Sequence, residues 1–167
     1  VRTLRFTAPV LQVQFSPSSS RTLLAVLESR EAFLVRFPSW EDVQSTTMST
    51  EPRRIALHGT PDTSAACFTP DGLWILTGSV KGAIRLVDGQ DGRLVHDLPC
   101  QIGASMIREI VLDEQSRHVA VNMNDRTVRT LRVSYNDGCE MPTGLTPTHK
   151  FQDLVSRTPW SGIGFSR

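Results

Sequence analysis

The chain has 167 residues, 39% of them hydrophobic and 21% charged, with a formal net charge of +1. That length suggests one domain with a sizeable core, and the near-neutral balance excludes a general pull toward nucleic acid or membrane, so an electrostatic partner must be held by a local patch. Cys67, Cys100 and Cys139 are far apart and form no CxxC or Cys/His cluster, which argues against zinc and a disulfide framework and fits a reducing compartment.

No apolar run reaches the roughly 18 residues of a membrane helix. The sequence begins at Val1 without a methionine or a signal-peptide pattern, and is expected to be an excerpt of a longer protein.

Short alternating or β-branched runs, bounded by Ser, Pro, Asp and Gly, predict strands in chain order. The first group is Val10 to Phe15, Thr22 to Leu27, Phe33 to Phe37 and, after a polar loop over 39–52, Arg54 to Leu57. The second is Ala65 to Phe68, Leu73 to Thr77, Ala83 to Asp88 and Arg93 to Leu98. Its first turn, Thr69-Pro70-Asp71-Gly72, joins a proline that presets φ to a glycine that permits positive φ. The third is Ile107 to Leu112, His118 to Met123, Thr127 to Val133 and, after a loop over 134–148, His149 to Leu154. Trp160 to Phe165 opens a fourth group.

Phe15, Phe68, Leu112 and Phe165 occupy matching places, at spacings of 53, 44 and 53 residues. The middle spacing falls in the roughly 40–45 residue period of four-stranded WD40 blades; the two insertions lengthen the others. A sandwich of short strands has similar patterning but no such repeat. The reading is therefore all-β, a WD40-type β-propeller with about three full blades and two partial ones. Residues 1–7 are the last strand of a preceding blade. Blades follow over 8–57, 58–98 and 99–154, and 155–167 starts the next. Propellers close with about 4–8 blades, so further blades are expected.

The stretch Thr77 to Asp88 looks like the second and third strands of a WD40 repeat, with Val87 where Trp is usual and Asp88 at the acidic position. The third group has Leu131 and Arg132 there. Phe6 to Phe15, Thr77 to Gly82, Asn124 to Arg129 and above all Lys150 to Trp160 (KFQDLVSRTPW) resemble the WD40 propeller subunit of COMPASS (SET/MLL-type) histone methyltransferase complexes, the retinoblastoma-binding protein five type. The resemblance implies a seven-bladed ring and a nuclear, non-catalytic scaffold for histone H3 lysine-4 methylation. It also implies partner subunits held largely by segments outside this chain, and a nucleosome faced by basic loops and an insertion that 134–148 would occupy. Gln152, Asp153, Arg157, Pro159 and Trp160 carry the most specific part of it. A propeller adaptor of another complex, for a ubiquitin ligase or for transport, is the alternative, because fold does not dictate function.

Turns between second and third strands gather on one rim. They carry Arg30, Lys81 and Arg126, and the connection before Trp160 adds Arg157. Such a row suits phosphate contacts, so these four are the candidate nucleosome-contact residues, although Glu28, Glu31, Asp62 and Asp125 lie nearby. Asp153, Pro159 and Trp160 read as structural, with Asp153 pairing with Arg157 and Trp160 packing between blades. Trp40 and Trp74 read as packing residues. His58, His96, His118 and His149 fall in different elements, no serine stands in a G-x-S-x-G elbow, and no glycine loop is built to cradle phosphate. No catalytic, cofactor or metal residue is expected, nor a membrane or small-molecule partner.

Overall fold

The computed structural model describes residues 4–38, 53–57, 62–100, 102–136, 141–152, 158 and 160–166. Three antiparallel four-stranded sheets follow one another along the chain. The first holds β1 (Val10–Ser16), β2 (Ser19–Leu27), β3 (Ala32–Arg36) and β4 (Arg53–Ala56) in that spatial order. The second holds β5 (Thr63–Phe68), β6 (Trp74–Ser79), β7 (Ile84–Asp88) and β8 (Leu94–Leu98). The third holds β9 (Ile107–Leu112), β10 (His118–Met123), β11 (Thr127–Tyr135) and β12 (Pro142–Gln152).

The β-branched and apolar residues that mark each strand are the ones the sheets bury. Ala66, Phe68, Ile75 and Val87 of the second sheet close over Leu24, Val26, Ala32 and Leu34 of the first. The opposite face of the second sheet, with Ala65, Leu76, Ile84 and Leu86, packs on Ile107, Ile110, Val119 and Val121 of the third. Buried on both faces, β5 and β6 are nearly continuous apolar or small-residue runs. Gly78 lets the third sheet come close: a Cβ there would lie 2.7 Å from Ile107 Cγ2.

The first turn of each blade follows from its residues. In the second, Asp71 Oδ1 accepts the Leu73 amide at 2.9 Å, and Gly72 takes a φ of +72°. In the third, Ser116 takes the same left-handed place at +55°, and Asp113 accepts the Arg117 and His118 amides at 2.6 and 2.9 Å.

Three expectations change. The predicted loop over 134–148 is largely strand: β11 runs on to Tyr135 and β12 starts at Pro142. The prolines that marked it as a loop sit where an edge strand tolerates them. Pro147 and Pro142 oppose Leu131 and Tyr135, each beside an irregularity of the β11–β12 register. Trp160 to Phe165, expected to begin a strand, makes no ladder; it lies against the third sheet, where Glu109 Oε2 accepts the Ile163 amide at 3.0 Å. Likewise residues 4–6 form no strand, yet the Phe6 ring lies 6.0 Å from that of Phe33. The loop 39–52 and Trp40 lie outside the described residues.

Candidate functional site

The second-to-third-strand turns of the three blades share one construction. Arg30, Gly82 and Arg126 take φ values of 69°, 83° and 65°, and their amides bond to the carbonyls of Leu27, Ser79 and Met123. This is a three-residue hairpin, a type I turn closed by one left-handed residue. The turns stand at one rim and are tied to the incoming connections: Glu28 N to Pro9 O, Val80 N to Asp62 O and Asn124 N to Met106 O. Arg30 O accepts from Thr63 N of the next blade, and Arg126 O accepts from Trp160 Nε1 at 3.3 Å.

The structure thus brings Arg30, Lys81 and Arg126 to the same rim on successive blades, with one offset. Arg30 and Arg126 hold the left-handed place. Lys81 stands one residue earlier, the place of Ser29 and Asp125, with its side chain exposed. Arg157, Asp153 and Pro159 lie outside the described residues.

The acidic neighbours are mostly committed elsewhere. Asp62 pairs with Arg85 at 2.7 Å, and Asp97 meets the same guanidinium at 3.2 Å; the Asp62 hydrogen bond pushes Arg85 above its ordinary value. Asp125 Oδ1 accepts the Thr127 amide and hydroxyl at 3.1 and 2.6 Å, and its Oδ2 lies 3.8 Å from Arg129. Glu31 accepts from Ser29 at 2.7 Å. Asp88 Oδ1 accepts the amides of Gln90 and Asp91 at 2.6 and 3.0 Å, which makes it the anchor of the β7–β8 turn. Trp160 is 40% exposed and bonds by its carbonyl to Asn122 Nδ2 at 3.0 Å. Gln152 ends β12, exposed, opposite Thr127. Trp74 packs beside the larger core cluster.

A second set of residues was missed in the sequence. Gln12 and Gln14 of β1 send their side-chain carbonyls to the amides of Ala66 and Phe68, at 3.5 and 3.1 Å, and Glu109 serves Ile163 in the same way. Gln12 and Glu109 each stand three residues before the matching Phe15 and Leu112. That shared offset was the available signal. The two glutamines satisfy amides of β5, which has no neighbouring strand on that side, and Glu109 satisfies an amide of the stretch 160–165, which forms no strand. They line a cleft of about 590 Å³ along the inner strands, with Cys67 and Phe68.

Burial pushes the Cys67 thiol well above its ordinary value and raises Cys100 as well, so neither is poised as a nucleophile. Among the described residues no group of three or more His, Cys, Asp and Glu could hold a metal ion. No described helix is long and apolar enough to cross a membrane.

Known proteins share this architecture. The chain is 24% identical over 174 residues to "COMPASS component SWD1" of Saccharomyces cerevisiae, covering 99% of this chain and 39% of that protein. The resemblance to the propeller subunit of COMPASS complexes holds across the chain. "Set1 complex component swd1" of Schizosaccharomyces pombe is 31% identical over 105 residues, 63% of this chain and 24% of the relative. "Retinoblastoma-binding protein 5 homolog" of Drosophila melanogaster is 29% identical over 171 residues, 97% of this chain and 32% of the relative. The Cps50 (Swd1) β-propeller domain of Myceliophteria thermophila superposes with a TM-score of 0.72 at 25% identity, covering 91% of this chain and 48% of that one. The fold is therefore a β-propeller of this type, and the chain spans two fifths or less of the length of these curated relatives. No family model matches the chain.

Proposed function

We propose that this chain is propeller blades of a non-catalytic scaffold subunit in a COMPASS-type histone H3 lysine-4 methyltransferase complex, working in the nucleus. Similarity over 99% of the chain to a COMPASS component carries the reading, and the KFQDLVSRTPW run agrees with it. The scaffold holds other subunits largely through segments beyond these blades. The rim with Arg30, Lys81 and Arg126, joined by Arg157, faces the nucleosome and contacts DNA phosphates without reading sequence.

Purification of the full-length protein from its own cells tests the first part: a SET-domain methyltransferase should copurify. Its absence, with a ubiquitin ligase or a transport complex in its place, would overturn the reading. For the rim, Arg126→Glu with Arg157→Glu should weaken nucleosome binding and flatten its salt dependence, by about 0.9 in log–log slope per lost phosphate contact, while complex assembly survives. Unchanged binding across salt concentrations removes the rim as a contact surface.

A further inference from the structure

The outer corner of the first blade, on the rim opposite Arg30, gathers Arg21, Arg36, Arg53 and Arg54. Arg36 of β3 and Arg53 of β4 are direct cross-strand partners, so their Cβ atoms stand about 4.5–5.5 Å apart on one face, a like-charge pairing that costs stability. Arg54 and Arg21 point to the other face, Arg21 because its neighbour Thr22 is the cross-strand partner of Arg36. Arg21 lies one rung further out, its carbonyl accepting the Phe37 amide.

Two of these guanidinium groups are held in place without being neutralised. Arg36 Nη2 donates to the carbonyl of Gln90 in the β7–β8 turn of the next blade. Arg54 lies over the Phe6 ring, 4.9 Å from its centroid. A carbonyl and an arene orient a cation and leave its charge intact. Among the described residues none of the four has a carboxylate at ion-pair distance. The carboxylates of the facing turn are occupied, Asp88 by two amides and Asp91 by Arg93 at 3.3 Å. The first blade's described acids, Glu28 and Glu31, sit at the other rim.

We propose that this corner is a second anion-binding surface and that it takes the phosphate backbone of duplex DNA. Four arginines and no lysine suit phosphate oxygens, because the planar guanidinium can bond two at once. Among the described residues the corner offers no free stacking platform for unpaired bases: Phe6 is covered by Arg54, and Phe37 is half-buried; Trp40 lies outside the described residues. Single strands are held largely by such stacking, so a duplex contacted through its backbone fits better. The chain between Arg36 and Arg53 carries Glu41, Asp42 and Glu51, outside the described residues. An acidic ligand must compete with them.

The test uses the full-length protein and a short naked DNA duplex, with binding followed by fluorescence anisotropy over a series of salt concentrations. Arg36→Gln with Arg53→Gln should make the log–log salt slope shallower by about 1.8, two phosphate contacts at roughly 0.9 each. Because Arg36→Gln also removes the bond to Gln90, Arg53→Gln with Arg54→Gln serves as a second variant, and it should show a similar loss. Arg53→Lys with Arg54→Lys should keep the slope. An unchanged slope and affinity in both glutamine variants, with native circular dichroism, overturns the proposal, since the corner is then served by the chain's own carboxylates. It is equally overturned if binding to a polyglutamate peptide falls while duplex binding does not, or if single-stranded DNA loses more than duplex. Naked duplex involves no other subunit, so this outcome is separate from that of the copurification.

Discussion

Arg30, Gly82 and Arg126 show how one backbone position can be filled under different local constraints. All three hold positive φ, a conformation costing a residue with a side chain roughly 1–2 kcal/mol. Arg30 and Arg126 accept that cost. Gly82 cannot be replaced in that way: a Cβ there would lie 2.2 Å from the Gly103 carbonyl oxygen, where the β8–β9 connection crosses the turn. Gly82→Ala should therefore destabilise the full-length protein by about 2–4 kcal/mol, the conformational cost plus backbone displacement. Urea unfolding checks this, and a loss under about 0.5 kcal/mol would mean that the connection yields freely. The glycine was legible as a turn residue. The carbonyl behind it was not, because Gly103 lies 21 positions along the chain.

At the scale of elements, strands announced themselves wherever apolar alternation met a turn signal, and β12 is the informative exception. Pro142, Gly144 and Pro147 are breakers by local rule, and they hid a strand of 11 residues. An outermost strand needs its amides on one side only, so a proline beside an irregular register costs little there. Leu145 shows the consequence: it is 5% exposed and belongs to the core cluster with Leu98, Ile102 and Leu131. Leu145→Ala should cost about 2–4 kcal/mol, as for other buried leucines, whereas Thr146→Ala on the exposed face should stay within about 0.5 kcal/mol. Comparable small effects at both positions in thermal unfolding would return 134–148 to the status of a loop.

At the scale of the molecule, the same sequence position can be core or surface according to what stands beside it. Phe68 is 3% exposed, packed on the first blade, while its counterpart Phe15 is 58% exposed, with Leu11 and Val13 alongside. Gln12 and Gln14 alternate with these and face the second blade, so the apolar members of β1 point away from it. Residues 1–167 produced by themselves should bind a hydrophobic dye and self-associate, and Leu11→Ser, Val13→Ser and Phe15→Ser together should suppress both. A monomeric, dye-silent segment would show that this face is covered from within. The scale of the whole also separates the two elements that the family resemblance placed against the nucleosome. Strand β11 ends on the rim where the Tyr135 hydroxyl meets the Ser116 carbonyl, opposite the turns of Arg30, Lys81 and Arg126.

The sequence alone determined the strands other than most of β12, their grouping in fours and the turns that carry basic residues, since period-two patterning and turn chemistry are local properties of a few neighbouring residues. The KFQDLVSRTPW run was likewise readable without coordinates. Only the tertiary structure decided which charges are already spent, as with Asp62 on Arg85, and which meet no carboxylate among the described residues, as with Arg36 beside Arg53. It also decided that Gln12 and Gln14 link the first blade to the second and that Glu109 holds the stretch around Ile163. These partners lie tens of positions apart, and their meeting depends on how sheets pack, which no local pattern encodes.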